Sequence, residues 1–496
     1  MDISLLLKMT ADSEPDRIAL DCDGRAWSYA ALWAAATGAA AEIAASGCAH
    51  VALLDTGSEA APIALFGAAL AGVPYCPLNY RLPDADLAAL LARIAPAYVV
   101  GDAERVARIA PDSTNRSVSR EAFVSRAEAA AEPEREAGDG EGIAVQLFTS
   151  GTTAAPKAAI LRHSNLVSYI LGTVEFGAAS EDEAALVSVP PYHIAGIAAL
   201  LSSIYAMRRI LLLPAFEPRA WIDLCAAKQA TNAFVVPTML SRIVECLGDT
   251  APALTRLRAI AYGGGRMPTE LISRALDLFP DTNFTNAYGL TETSSTVALL
   301  GPEEHRAAHS AHDARARARL GSVGKPLPTI ELEIRDEEGR VLPPGEAGEI
   351  YVRGEQVSGE YRERSALDAG GWFPTRDAGY LDAEGYLFLS GRADDVIVRG
   401  GENISPGEIE DVLLTHAAIS DVAAVGIPSV EWGETVAVAV AVTGAEPSDD
   451  DIRALVRARL RSSRVPEHIV RVEALPYNEM GKLLRREVRR MFESAA

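Results

Sequence analysis

Apolar and polar residues alternate along the first 300 positions in patterns that predict helices and strands in turn. Helical spacing covers residues 29–45 and 62–71, whereas short apolar runs at 50–55 and 97–101 predict buried strands. A second block of the same kind extends from 184 to 300. Because helices alternate with apolar strands, the pattern favours parallel sheets covered by helices.

The pattern changes to short strands and turns beyond Gly321. Strands are predicted at 331–334, 348–352 and 386–389, which indicates a small β-rich, barrel-like part. The preceding segment, residues 303–319, is charged and holds three histidines. It is predicted to be a solvated loop or surface helix and not a metal site, because no acidic or cysteine pattern supports the histidines.

The last hundred residues form a separate pattern. Ser405 and Glu408 flank a proline in the spacing of a capping box, which predicts a helix to about His416. Strands at 422–427 and 435–442 and a helix at 449–460 are predicted to follow. We therefore predict an α/β fold with two domains. Residues 1–393 form a large domain of several subdomains, and residues 394–496 form a small, mobile α+β domain.

Composition narrows the functional classes. The chain has 496 residues and a net charge of −22, which argues against a general nucleic-acid binder. Five scattered cysteines without a CxxC pair favour the cytoplasm over a disulfide framework. The uncharged stretch 60–80 is broken by prolines and glycines, so no membrane span is predicted. The acidic segment 125–142 is predicted to be a surface connection.

A hydroxyl-rich loop follows the predicted strand 143–148 and carries the first chemical signal. It is composed of Thr149, Ser150, Gly151, Thr152, Thr153, Ala154, Ala155, Pro156 and Lys157. Hydroxyls, exposed N–H groups and a lysine can bind phosphate oxygens, although a plain Ser/Thr-rich turn has the same composition. A Walker A loop is disfavoured because Ala158 follows Lys157 where that motif needs Ser or Thr.

Further motifs follow this loop in a fixed order. They are Tyr288-Gly289-Leu290-Thr291-Glu292, Thr375-Arg376-Asp377, Gly391-Arg392, Gly400-Gly401-Glu402, Glu408-Ile409-Glu410 and Gly481-Lys482. The ordered set resembles the adenylate-forming superfamily, which includes acyl-CoA synthetases, adenylation domains of peptide synthetases and beetle luciferases. The resemblance covers nearly the whole chain, and within the superfamily the chain is most similar to a free-standing acyl-CoA ligase. One departure is Ala154, where the family usually has glycine.

The resemblance implies an ATP site in the large domain. The loop 149–157 would hold the β- and γ-phosphates, Tyr288 would stack on adenine, and Thr291 would donate to the α-phosphate. Glu292 would bind Mg²⁺, and Asp377 would accept hydrogen bonds from the ribose hydroxyls beside Arg392. The walls around the nucleotide would be formed by Gly263, Gly264, Gly265, Asn286, Ala287 and Gly289.

The resemblance also implies two uses of the small domain. Lys482 would offset the charge of the substrate carboxylate and the α-phosphate during adenylate formation. Rotation about Asp394 would then bring in a loop of Arg399, Gly400 and Gly401, with Trp432 nearby, to line a tunnel for a pantetheine thiol. The alternative for Lys482 is a solvated surface lysine, and the alternative for Gly400 and Gly401 is a simple turn.

The acyl pocket is expected at segments that resemble the family's aromatic/His gate and its neighbours. Its residues would be Tyr192, His193, Ile194, Val236, Pro237, Gly263, Gly289 and Leu290. His193 would either flank the carboxylate or simply pack. Because these side chains are mostly apolar, the expected substrate is a fatty, alicyclic or aromatic monoacid.

The expected activity is that of an AMP-forming acid–CoA ligase with ATP, Mg²⁺ and coenzyme A as cofactors. Loading of an acyl group onto a carrier protein is the alternative for the second step, and a non-catalytic acyl- or nucleotide-binding protein is the alternative of a different class. The sequence leaves open whether the protein forms a homodimer, and no nucleic-acid partner is expected.

Overall fold

The computed structural model describes residues 1–110, 114–130, 140–149, 156–250, 252–392, 395–400, 402–429, 431–477 and 483–493. The predicted site residues Ser150, Gly151, Thr152, Thr153, Gly401 and Lys482, the departure at Ala154 and the predicted hinge Asp394 lie outside these ranges. The boundary between residues 393 and 394 therefore stays a prediction.

The helices in the described part of the chain are α1 Ser4–Ser13, α2 Tyr29–Ser46, α3 Ala60–Ala71, α4 Asp84–Ile94, α5 Ala103–Ile109, α6 Arg120–Ala129, α7 His163–Thr173, α8 Ile194–Tyr205, α9 Pro218–Ala227, α10 Pro237–Leu247, α11 Thr269–Leu278, α12 Pro302–Ser310, α13 Ala314–Ala318, α14 Pro406–Leu414, α15 Asp449–Arg459 and α16 Arg485–Glu493. None of them is long and apolar enough to cross a membrane.

The strands are β1 Ile18–Cys22, β2 Arg25–Ser28, β3 His50–Leu54, β4 Tyr75–Pro77, β5 Ala97–Gly101, β6 Arg116–Val118, β7 Ile143–Thr149, β8 Lys157–Arg162, β9 Ala184–Val187, β10 Arg209–Leu212, β11 Asn232–Val235, β12 Ala259–Gly263, β13 Asn283–Leu290, β14 Ser295–Leu300, β15 Lys325–Pro326, β16 Glu331–Arg335, β17 Gly348–Arg353, β18 Glu360–Tyr361, β19 Arg364–Ser365, β20 Phe373–Leu381, β21 Leu387–Arg392, β22 Ile397–Arg399, β23 Glu402–Ile404, β24 Ile419–Ser429, β25 Gly433–Val442 and β26 His468–Val472.

Two large sheets form the body of the protein. The nine-stranded sheet has the order β15-β14-β13-β12-β11-β9-β10-β1-β2, and its strands from β13 to β1 are parallel. The eight-stranded sheet has the order β19-β18-β8-β7-β4-β3-β5-β6. One continuous apolar cluster joins residues of both sheets with α1, α2, α3, α7 and α8. This arrangement confirms the predicted parallel sheets covered by helices.

Two smaller sheets follow. The antiparallel sheet β16-β17-β20-β21 is the small β-rich part predicted from the short strands. The sheet β23-β22-β25-β24, with β26 beside β25, forms the C-terminal part. Its core lies on both faces, against α14 and α15 on one side and near α16 on the other. The α/β class with a small α+β end is confirmed.

Local signals explain why the predicted elements form. Helix α2 is capped at its N-terminus by Ser28, whose side chain accepts a hydrogen bond from the backbone N–H of Ala31, and at its C-terminus by Gly47 in the left-handed conformation. Helix α15 is capped by Ser448, which forms a capping box with Asp451. Such caps satisfy backbone groups that the helix itself leaves without partners.

The surface helix predicted as one possibility for 303–319 is confirmed by α12 and α13, but three local details differ from the predictions. Part of the predicted connection 125–142 is helical, because α6 continues to Ala129. His305 is not solvated: it is fully buried and bonds the hydroxyl of Tyr262 at 2.8 Å. Ser405 forms no side-chain cap on α14, because its hydroxyl donates instead to the carbonyl of Ser390 at 2.7 Å.

Candidate active site

The hairpin of β7 and β8 brings the two ends of the phosphate loop together. Thr149 pairs with Lys157 across the hairpin, and the Thr149 hydroxyl donates to the Lys157 carbonyl at 3.5 Å. The Lys157 ammonium lies 5.6 Å from the centre of the Tyr361 ring. The loop therefore begins and ends at one point, with its predicted cation against an aromatic side chain.

Tyr361 connects this hairpin to the predicted metal ligand. Its hydroxyl donates to Oε1 of Glu292 at 2.6 Å, and the Glu292 side chain is nearly buried. Burial and the Glu292 carboxylate raise the pKa of Tyr361 well above its ordinary value, so the phenol stays a donor. Glu292, Tyr361 and Lys157 thus form one connected group.

The turn that carries Thr291 and Glu292 is held rigidly. Ser294 and Ser295 have positive φ values of 56° and 110°, which side chains other than glycine adopt only at a cost. The amide of Gln356 bridges the turn, because it donates to the carbonyls of Thr293 at 3.1 Å and Thr296 at 2.7 Å. This support fixes the Glu292 carboxylate relative to the hairpin.

Asp377 is the centre of a second group. The hydroxyl of Tyr288 donates to its Oδ2 at 2.7 Å, and Nε of Arg392 lies 3.1 Å from its Oδ1. Burial and Asp377 together raise the pKa of Tyr288 well above its ordinary value. Each carboxylate oxygen can accept two hydrogen bonds, so Asp377 keeps capacity for the two ribose hydroxyls.

Gly263 and its neighbours bring the predicted nucleotide and acyl walls together. A side chain on Gly263 would place its Cβ 2.2 Å from the carbonyl oxygen of Ala287 on the adjacent strand, so the position requires glycine. Gly264 has φ of +79° and approaches Val236, while Gly265 lies against Pro237. Asn286 is buried and donates to the carbonyl of Ser322 at 3.1 Å, so it supports the wall from behind.

The residues of the predicted aromatic gate pack together around His193. The rings of Tyr192 and His193 are 4.3 Å apart, and Tyr80 packs edge-on against Tyr192 at 5.4 Å. Burial and, to a smaller extent, the charge of Arg81 lower the pKa of His193 to about 3. Its Nε2 has no hydrogen-bond partner among the described residues. A neutral imidazole cannot offset a carboxylate charge, although it can still form a hydrogen bond.

The predicted pantetheine residues lie together in the C-terminal part. The backbone N–H of Gly400 donates to the carbonyl of Trp432 at 2.8 Å, and the Arg399 guanidinium lies 5.5 Å from the Trp432 ring. Gly400 has φ of +57°, and a Cβ there would approach the indole to 3.1 Å. Trp432 is 42% exposed, so its indole presents an aromatic surface to solvent beside Gly400.

Sequence reasoning missed Tyr361. The residue follows Ser358, Gly359 and Glu360 in a stretch with no local chemical pattern. It reaches the site only because β18 pairs with β8, which places Tyr361 opposite Ala159. Residues about 200 positions apart in sequence therefore form one group, and no short-range signal predicts it.

The donor set suits magnesium bound together with a nucleotide. Mg²⁺ is held in such sites by one or two carboxylates, with phosphates and water as the other ligands. Glu292 supplies one buried carboxylate beside the phosphate hairpin. The one cluster of three ligand side chains found in the described residues is Cys22, Asp23 and Glu59, near β1 and α3. Glu292 therefore fits a magnesium ion that binds together with the phosphates of ATP.

The comparisons with known proteins agree with this geometry. The family model for the AMP-binding enzyme matches residues 7–362, and that for the AMP-binding enzyme C-terminal domain matches residues 408–482. The chain is 31% identical over 501 residues to the fatty acid–[acyl-carrier-protein] ligase ScoC of Streptomyces coeruleorubidus, covering 97% of this chain and 95% of ScoC. It is 31% identical over 493 residues to the 2-succinylbenzoate–CoA ligase of Geobacillus kaustophilus, covering 98% and 97%.

A solved structure is similar over the same length. The o-succinylbenzoate CoA synthetase (MenE) from Bacillus subtilis, in complex with its acyl-adenylate intermediate, superposes with a TM-score of 0.84 at 28% identity, covering 97% of each chain. The same synthetase was also solved with ATP and a magnesium ion. These relatives confirm the expected AMP-forming acid–thiol ligase with ATP, Mg²⁺ and coenzyme A as cofactors. The chain belongs to the AMP-binding enzyme family.

Proposed function

We propose that this protein activates a hydrophobic monocarboxylic acid as an acyl-adenylate and transfers the acyl group to the thiol of coenzyme A. The observation that carries the proposal is a pair of polar groups that include Tyr288 on β13 and Glu292 just after it. Strand β13 pairs with β12, which leads into the glycine loop, Gly263 to Gly265. Glu292, Tyr361 and Lys157 form one, and Asp377 with Tyr288 forms the other. One is suited to phosphates with their metal, and the other to a ribose.

In the first step, a carboxylate oxygen of the acid attacks the α-phosphorus of ATP. The bond between the α-phosphorus and the bridging oxygen breaks, and pyrophosphate leaves. The residues contribute positioning and charge: Lys157 attracts the departing phosphates, and the rigid turn presents the Thr291 hydroxyl and Glu292. Mg²⁺ bound at Glu292 would neutralise phosphate charge. Lys482 is proposed to meet the carboxylate and the α-phosphate.

In the second step, the thiol of coenzyme A loses its proton to solvent and attacks the acyl carbon. The bond from that carbon to the phosphate oxygen breaks, and AMP leaves. Arg399, Gly400, Gly401 and Trp432 are proposed to line the entry of the pantetheine arm, with Asp394 as the hinge that brings them in.

The predicted gate and its neighbours support the proposed substrate class. Ile194, Val236, Pro237 and Leu290 are apolar, and His193 is held neutral by burial. These side chains offer a second carboxylate in the pocket no positive charge, which favours a monoacid; the cation that acts on His193 is Arg81, outside this set. A panel of octanoate, benzoate, ferulate, 2-succinylbenzoate and malonate tests this class by pyrophosphate release.

The assay of the reaction type uses ATP, Mg²⁺, coenzyme A and the same acids. We expect AMP and pyrophosphate in equal amounts, and ADP with phosphate would contradict adenylate formation. Lys482→Ala should lower adenylate formation by about a thousandfold, the size of one lost electrostatic contact to the transition state. It should spare thioester formation from supplied acyl-adenylate. Arg486→Ala, which removes an exposed charge nearby, is the matched control.

A carrier protein is the second candidate acceptor. The similarity to a fatty acid–[acyl-carrier-protein] ligase and the exposed Trp432 beside Gly400 favour it. Competition between coenzyme A and a phosphopantetheinylated carrier protein decides between the two acceptors. We also propose a cytoplasmic location, since the five cysteines are free, and a homodimer that light scattering would detect.

A further inference from the structure

Arg266 joins the glycine loop of the site to the C-terminal part of the chain. It follows Gly265 directly, and its guanidinium donates to the carbonyl of Gly407 at 2.8 Å and to Glu410 at 3.4 Å. It also forms an ion pair with Asp411. These three partners lie on α14, on the other side of the predicted hinge, so one side chain spans the two parts.

The absence of a side chain at Gly407 leaves room for the Arg266 guanidinium. A Cβ at Gly407 would lie 2.7 Å from Cζ of Arg266. The backbone conformation itself does not require glycine, because Gly407 lies in the first turn of α14 and its φ is not positive. Alanine at this position would favour the helix and disturb only the approach of the guanidinium.

The contact can be released without leaving a buried charge unpaired. Glu410 is almost fully buried, and Arg485 donates to both of its oxygens at 2.5 Å and 3.0 Å. Burial alone would raise the pKa of Glu410, but Arg485 and then Arg266 outweigh it and lower the pKa. Since Arg485 and Glu410 belong to the same part of the chain, their pair persists when Arg266 moves away. The side chains of Arg266 and Asp411 are 40% and 41% exposed, so water can solvate both charges after release.

We propose that Arg266 is a positioning residue that holds the C-terminal domain in the arrangement seen here and releases it between the two half-reactions. The inference rests on the proposed function, in which Lys482 and the loop of Arg399, Gly400 and Gly401 serve one site in turn. The two lie on different segments of one small domain, so the domain needs two arrangements. A contact between the glycine loop and α14 sets the balance between them.

The first test measures domain arrangement without any substrate. Cys246 is exposed in the large domain and the other four cysteines are buried, so a dye reacts there selectively. A second dye on Ala445→Cys, in the exposed loop before α15, reports the distance by single-molecule energy transfer. We expect Arg266→Gln and Gly407→Ala each to shift the ratio of the two populations by about fivefold or more. An unchanged distribution in both variants would overturn the proposal.

The second test compares the half-reactions with octanoate and ferulate as probe acids. Acid-dependent exchange of pyrophosphate into ATP measures the first, and AMP release from the supplied acyl-adenylate and coenzyme A measures the second. We expect the ratio of the two rates to change by a similar factor in both variants, with one rate falling while the other is kept or rises. Equal loss of both rates would mean a merely structural role for Arg266 and would refute the inference.

The control is Arg274→Gln. Arg274 also contacts a carbonyl and a carboxylate, those of Gly248 and Asp249, but both partners lie in the large domain. It should change neither the populations nor the ratio of rates. If the wild-type protein catalyses no exchange with any acid of the panel, the proposed function fails, whereas the energy-transfer result still tests the contact made by Arg266.

Discussion

Replacing Tyr361 by phenylalanine removes one oxygen atom from the centre of the candidate site. The lost hydroxyl is the donor at 2.6 Å to the nearly buried Glu292 carboxylate. The ring stays, so the contact between the aromatic face and Lys157 at 5.6 Å is kept. The variant therefore isolates a single hydrogen bond between the phosphate hairpin and the metal ligand.

The size of the effect follows from the kind of bond. A hydrogen bond to a charged group contributes about 1.5–3 kcal/mol. If the carboxylate position matters for the transition state, the rate of adenylate formation should fall by roughly 10- to 100-fold. The Mg²⁺ concentration at half-maximal rate should rise, because Glu292 becomes free to rotate away from the phosphates.

The assay is acid-dependent pyrophosphate exchange at several Mg²⁺ concentrations, with urea unfolding to confirm that the variant is folded. The matched control is Tyr380→Phe, which alters a half-buried tyrosine that stacks on Phe388 at 5.1 Å on the small sheet. A change of less than twofold in both rate and Mg²⁺ dependence for Tyr361→Phe would show that Glu292 is positioned by the rigid turn alone.

Three further predictions test other parts of the site. His193→Phe should remove a pH dependence of the unfolding free energy. The pKa of His193 in the folded protein is lowered from 6.5 to about 3, so the wild type loses stability as pH falls through this window, by about 1.4 kcal/mol per pH unit. Urea unfolding of both proteins at pH 5 and pH 7 measures the difference. Asp377→Asn should raise KM for ATP by about tenfold, the loss of roughly one charged hydrogen bond, while Arg376→Ala on the exposed neighbouring position should not. Gly263→Ala should lower the unfolding free energy by about 1–3 kcal/mol, because its Cβ meets the carbonyl of the adjacent strand. Gly321→Ala, whose Cβ would make only an ordinary contact with Oγ1 of Thr269 at 3.9 Å, should change it little, and equal effects would contradict the geometry.

Elements with strong local signals were predictable from the sequence. The helix predicted at 29–45 is α2, and the strands predicted at 50–55 and 97–101 are β3 and β5. Hydrophobic spacing and capping residues act over a few positions, so they can be recognised without knowing the fold. The order of the motifs similarly indicated the family, because each motif is a short, continuous segment.

Failures occurred where a distant partner competed with a local one. Ser405 has the spacing of a cap, but the carbonyl of Ser390 takes its hydroxyl. His305 lies in a charged segment, yet Tyr262 offers it a buried partner. Local patterns cannot predict these outcomes, since the competing group arrives only when the chain has folded.

The sequence by itself determined which residues could bind phosphate, metal, ribose and acid, because these abilities belong to single side chains and short loops. Only the tertiary structure decided how they are grouped. The pairing of β18 with β8 places Tyr361 between Glu292 and Lys157, and the packing of α14 against the glycine loop gives Arg266 its partners. Such contacts join residues up to about 200 positions apart, and they form because sheet pairing and burial bring distant segments together.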